Sequence, residues 1–139
     1  MIRQQFKKKG ILLIEDDLAY GALMTAAAKA ENVPLTVFAS LADMGSFARM
    51  GEFDVAIFDY ALDNVNGVEM SEYVTAFFSE VPVILISAYR LDQVKEKRWP
   101  ASVRRFISKD MGVRSILSAA VAELRKPIRS EARRPQPES

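Results

Sequence analysis

Three carboxylates, a lysine and a serine hydroxyl stand where short apolar runs of the chain give out. Glu15 and Asp16 follow Ile11 to Ile14, Asp59 follows Val55 to Phe58, Ser87 follows Val83 to Ile86, and Lys109 follows Arg105 to Ser108. If those runs are strands of one parallel sheet, all five residues lie along its C-terminal edge, where open parallel sheets place their sites. Carboxylates brought together there repel and raise one another's pKa unless a cation sits between them. The chain has no histidine and no cysteine. An all-oxygen donor set suits magnesium, which keeps waters and can also bind a phosphate oxygen. Lys109 can then pair with a carboxylate nucleophile or with an incoming phosphoryl charge, and the Ser87 hydroxyl can donate to a phosphoryl oxygen. Phosphoryl transfer asks little beyond such positioning and charge neutralisation.

Each of these residues has a plainer reading when taken alone. Glu15, Asp16 and Asp17 are acids of the kind the helix dipole favours in a first turn. Asp59 is then a loop aspartate, Lys109 a solvated lysine and Ser87 a small residue at a strand end. The case for a site rests on their joint order and spacing.

The elements that must position them follow from periodicity. Ile11 to Ile14 is apolar throughout and too short for a helix, as expected of a strand buried on both faces. An alanine-rich helix over about Leu18 to Ala30 ends at Asn32, Val33 and Pro34, and Leu35 to Phe38 is a second strand. Ser40 and Asp43 resemble an N-terminal cap for a second helix, whose apolar stripe of Leu41, Met44, Phe47 and Ala48 runs up to Gly51. Val55 to Phe58 is a third strand. A polar loop ending in Gly67 leads to a helix from about Val68 to Phe78, and Pro82 introduces the fourth strand, Val83 to Ile86. A short helix between Asp92 and Arg98 is expected ahead of Pro100. Arg105 to Ser108 is the fifth strand, and Ser115 to Leu124 the closing helix before Pro127. Alternating strands and helices give an α/β fold, a parallel sheet covered by helices on both faces.

With 139 residues, there is room for one domain with a real core. The boundaries are expected at 10–126, with a basic N-terminal tail at 1–9 and a Pro- and Arg-containing segment at 127–139 too poor in apolar residues to order itself. Apolar residues make up 50 % of the chain, charged residues 27 %, and the formal net charge is +1, so nothing in the balance calls for nucleic acid or lipid. Without cysteine or histidine, disulfides, thiolate metal sites, Ser-His-Asp chemistry and a phosphohistidine role are excluded. Ile11 to Ile14 is far too short for a signal-peptide core, and no stretch reaches membrane-spanning length. The expected location is cytoplasmic.

Four stretches, taken jointly, resemble the response-regulator receiver family of two-component signalling. ILLIEDD is similar to its opening strand and acidic pair, VAIFDYALDNVNG to its phosphoacceptor strand and loop, PVILISA to the strand ending in a hydroxyl switch residue, and RRFISKD to its last strand. The resemblance covers about residues 10–126. It implies a doubly wound five-stranded parallel sheet of order 2-1-3-4-5, with Asp59 as phosphoacceptor, Asp16 as direct magnesium ligand, Glu15 as a ligand through water and Ala61 as a ligand through its backbone carbonyl. Lys109 becomes the pairing lysine, and Ser87 and Phe106 the switch pair, although Phe106 alone reads as a core aromatic. Ala61 and Tyr89 take positions that tune loss of the phosphoryl group, Tyr89 being otherwise a surface tyrosine. Three departures leave the nucleophile untouched. Glu15 stands where aspartate is also common, Asp63 and Asn66 replace a frequent proline and aspartate, and Asp110 follows the lysine in place of proline, so that no cis peptide is expected there.

The function so implied is a phosphoacceptor switch rather than a classical enzyme. It takes a phosphoryl group from a histidine kinase or histidine phosphotransfer protein onto Asp59 with magnesium. It then signals through a protein target on the face made by the fourth predicted helix, the fifth strand and the closing helix, and a homodimer is compatible with this. A degenerate receiver that binds proteins without phosphorylation is the alternative. A flavin site should offer hydroxyls and amides in the first loop, where this chain has three acids. Phosphatases of the haloacid-dehalogenase class carry their nucleophile after the first strand in a pattern that Glu15-Asp16-Asp17-Leu18 does not follow. After Leu124 no helix-turn-helix is expected, so output through DNA is not expected either.

Overall fold

Every residue of β1, Ile11–Ile14, is buried, as is every residue of β3, Val55–Asp59, and β4, Val83–Ser87. In a strand, successive side chains point to opposite faces, so a continuous apolar run makes core on both sides at once. The computed structural model, which describes residues 6–62, 66–89, 94 and 98–126, places these three strands at the centre of a five-stranded sheet. Its order is β2-β1-β3-β4-β5, with β2 at Leu35–Phe38 and β5 at Val103–Ser108 on the less buried edges. All four pairings are parallel. On one face Leu12, Ile14, Phe58 and Leu85 pack with Met44, Met70 and Val74. On the other, Ile11, Leu13, Ile57 and Ile84 pack with Met24 and Ala28 of α1, Leu18–Ala30, and with Ile116, Leu117 and Ala120 of α4, Val113–Glu123.

The register brings the strand ends into line. Ile14 lies beside Phe58, Asp59 beside Ile86, and Ser87 beside Ser108, so the residues just past these ends share one edge. Two local devices support it. Asp17 caps α1, its Oδ1 accepting from Tyr20 N at 3.1 Å, and Asn66 caps α3, Gly67–Phe77, accepting from Glu69 N at 2.9 Å. Gly67 lets α3 approach β3 closely. A Cβ there would lie 2.8 Å from the Asp59 carbonyl oxygen and 2.9 Å from the Leu85 side chain.

The second helix departs from expectation. Ser40 does cap it, accepting from Asp43 N at 3.1 Å, but α2 covers only Leu41–Met44. Gly45 adopts φ 91° and ψ −72°, a backbone conformation that residues with a side chain rarely take, and the α-helix ends there. Ser46 then caps a separate 3-10 helix over Phe47–Glu52. The apolar stripe was real, and Phe47 still packs on the core, but backbone geometry at Gly45 divides it. β5 starts earlier than expected, at Val103, and α4 starts at Val113. The short helix expected between Asp92 and Arg98 falls largely outside the described residues, as do Asp63 and the segment 127–139. No peptide bond among the described residues is cis. The lysines at the N-terminus are tied to the domain, for the backbone amides of Lys7, Lys8 and Gly10 all donate to the Asp54 carboxylate at 3.0 to 3.1 Å.

Candidate functional site: an acidic cluster at the sheet edge

Glu15 and Asp59 are 1 % and 5 % exposed, which is unusual for carboxylates. Carboxylate oxygens of Glu15, Asp16 and Asp59 all lie within 4.8 Å of one another, with Asp16 on the exposed side. Lys109, entering from the end of β5, bridges the two buried acids: its Nζ lies 2.5 Å from Glu15 Oε1 and 3.0 Å from Asp59 Oδ2. The contact with Asp59 has hydrogen-bond geometry. The closer one to Glu15 is an ion pair without that alignment, and Oε1 accepts no hydrogen bond among the described residues. The other oxygens are held by backbone, with Asp17 N donating to Glu15 Oε2 at 3.2 Å and Ala61 N to Asp59 Oδ1 at 3.0 Å.

The electrostatics follow from burial and crowding. Loss of hydration, then the neighbouring Asp59, pushes the Glu15 carboxyl up to about 7, with Lys109 opposing. Burial alone would lower the Lys109 ammonium, but Glu15 and Asp59 together outweigh it and hold its pKa above the ordinary lysine value. Three carboxylates facing one ammonium leave an excess of negative charge, which a proton on Glu15 relieves in part.

Of the residues singled out in the sequence, Glu15, Asp16, Asp59 and Lys109 are thus brought together, and Ala61 reaches them through its amide. Ser87 is fully buried at the end of β4, its Oγ accepting from Tyr89 N at 2.9 Å. Tyr89 is 49 % exposed. Phe106 lies along β5 among aromatic rings, 6.1 Å from Tyr60 in an edge-on contact and 5.4 Å from Trp99. It also borders a groove with Arg105, Ile107, Met111, Ser115 and Ala119 between β5 and α4.

Sequence reading missed Tyr20, whose ring centroid lies 4.4 Å from Lys109 Nζ, and the two rings that flank Phe106. For Tyr20 a signal existed. It stands in the first turn of α1, three residues past the Asp17 cap, close along the chain to the acids that precede the helix. Nothing local announces that Trp99 meets Phe106.

The response regulator receiver domain family model matches residues 11–121. No curated protein matches the chain. Among solved structures, a CheY-like response regulator receiver domain protein from Methanospirillum hungatei is 20 % identical, with TM-score 0.68 over 85 % of this chain and 94 % of that one. The response regulator TrrA from Thermotoga maritima, solved in complex with magnesium and beryllofluoride, is 17 % identical, with TM-score 0.68 over 82 % and 96 %. The signal receiver domain of an HD domain-containing protein from Pseudomonas fluorescens is 14 % identical, with TM-score 0.70 over 85 % and 94 %. At such identities these neighbours speak for the fold alone, and the 2-1-3-4-5 sheet agrees with them. With the family match spanning most of the sequence, the chain belongs to the response regulator receiver domain family.

Proposed function

We propose that the domain is a phosphoacceptor switch in which Asp59 takes a phosphoryl group from a histidine kinase or histidine phosphotransfer protein. The observation that carries this reading is the Lys109 ammonium seated between Asp59 and Glu15, 3.0 Å and 2.5 Å from their oxygens, on the edge where such a donor can approach. An Asp59 carboxylate oxygen forms a bond to phosphorus while the bond from phosphorus to the donor atom breaks, and its electron pair leaves with the donor. Lys109 holds the nucleophile in place and faces the negative charge of the transferred group. Ser87, freed from Tyr89 N, donates its hydroxyl to a phosphoryl oxygen.

The residues present fit magnesium. The donor set is oxygen alone, the three carboxylates converge within 4.8 Å, and Glu15 Oε1 is buried without an aligned hydrogen bond. Asp16 would hold the ion directly, with Asp59 and the Ala61 carbonyl, and Glu15 through water. When bound, the ion neutralises charge on the phosphoryl oxygens. Phe106 is the second half of the switch. Moving it inward behind Ser87 would reshape the β5 and α4 groove that it borders, the surface we assign to a downstream protein. Ala61, which has no polar side chain to orient water, and Tyr89, half-exposed two residues past Ser87 with its amide on the Ser87 hydroxyl, set how long the phosphoryl group lasts. The test is intact-protein mass spectrometry after incubation with acetyl phosphate and magnesium. One phosphoryl group is expected on the wild type and none on Asp59→Asn or after chelation of the metal. Stoichiometric labelling of Asp59→Asn would overturn the assignment.

A further inference from the structure

Lys109 Nζ carries three protons, and its two carboxylate partners occupy only part of its surroundings. A third side is covered by the Tyr20 ring, whose centroid lies 4.4 Å from the nitrogen. The negative face of an aromatic ring attracts an ammonium, and more so where water is excluded. Here the lysine side chain is 17 % exposed. Tyr20 is itself fixed from two directions. Its amide is held by the Asp17 cap at 3.1 Å, and its ring packs against the core cluster under α1. Its hydroxyl is buried and has no hydrogen-bond partner among the described residues. The hydroxyl therefore explains nothing about why a tyrosine stands here, whereas the ring does.

We infer that Tyr20 is a positioning residue for phosphoryl transfer, its ring, 4.4 Å from Nζ, helping to seat the Lys109 ammonium beside Asp59. This deepens the phosphoacceptor reading and rests on it. Without the ring, the long lysine side chain gains freedom and water, and spends less of its time beside the nucleophile. With the ring, Lys109 stays in place even when a cation draws off part of the Glu15 charge.

The experiment compares wild type, Tyr20→Phe, Tyr20→Leu and, as a second non-aromatic replacement, Tyr20→Met. The rate of labelling by acetyl phosphate is measured at saturating magnesium, together with magnesium affinity and the NMR shifts of the Lys109 side-chain protons. A ring over the ammonium shifts those protons upfield. The inference expects labelling slowed about three- to tenfold in Tyr20→Leu and Tyr20→Met, restored in Tyr20→Phe, with the upfield shift lost and regained in parallel. Magnesium affinity should change by less than about twofold, since no proposed ligand is altered; a general structural lesion would depress rate and affinity together. Labelling of Tyr20→Leu at the wild-type rate, failure of Tyr20→Phe to restore it, or unshifted Lys109 protons in the wild type would overturn the role of Tyr20 alone. Absence of labelling in the wild type would overturn the phosphoacceptor reading instead, and the proton shifts would still report whether the ring seats the lysine.

Discussion

Magnesium binding by this domain should be linked to a proton. Burial and the neighbouring Asp59 push the Glu15 carboxyl from an ordinary value near 4.5 to about 7, and a cation held among the three acids, with Glu15 reaching it through water, favours loss of that proton. Affinity should then scale with the ionised fraction of Glu15, which is about nine-tenths at pH 8 and about one-tenth at pH 6 for a pKa near 7. The apparent dissociation constant should therefore rise by up to about tenfold from pH 8 to pH 6. Near pH 7 about half a proton should be released per ion bound. The sign carries through to stability. A carboxyl whose folded pKa is raised favours the fold while protonated, so in the absence of metal this contribution is complete below about 4.5 and is lost as pH rises through about 7. Its ceiling is on the order of 3 kcal/mol, at about 1.4 kcal/mol per pKa unit. Saturating magnesium should offset the loss above pH 7. The assay is calorimetric titration with magnesium from pH 6 to 8 in buffers of different ionisation enthalpy, for the wild type and Glu15→Gln. A flat affinity across that range in the wild type, or an equal slope in Glu15→Gln, would refute the argument.

Three further outcomes are expected. Gly67→Ala should destabilise the fold by about 1–3 kcal/mol, because the new methyl group would sit 2.8 Å from the Asp59 carbonyl oxygen; an unchanged urea midpoint would show that α3 yields freely. Beryllofluoride with magnesium should alter the NMR environment of Phe106 and the fluorescence of Trp99, the sole tryptophan, which lies 5.4 Å from it; spectra unmoved at both rings would remove Phe106 from the switch. Loss of the phosphoryl group should be slow in the wild type and faster in both Tyr89→Ala and Ala61→Asn at saturating magnesium, because hydrolysis needs an in-line water that Ala61 cannot orient. Slower loss in Tyr89→Ala would mean that the tyrosine assists hydrolysis.

Much of this molecule was legible along the chain because a buried parallel strand leaves a local signature. Ile11 to Ile14, Val55 to Phe58 and Val83 to Ile86 can be buried on both faces only in a sheet covered on both sides, and each was recognisable from its own few residues. Acids, hydroxyl and lysine at the strand ends then located the candidate site, since the edge of such a sheet is one place. The second helix was misjudged because an apolar stripe records which side chains meet the core. The break depended on Gly45 taking φ 91°, which composition leaves open. What the sequence determined by itself was the set of strands and the residues at their ends. Only the tertiary structure decided the distances and environments. Burial drives the Glu15 carboxyl to about 7, the register sets Lys109 between two acids, and the packing of α1 lays the Tyr20 ring on its ammonium. Charge state, ion pairing and ring contact are properties of neighbours in space, and those neighbours come from elements far apart in the chain.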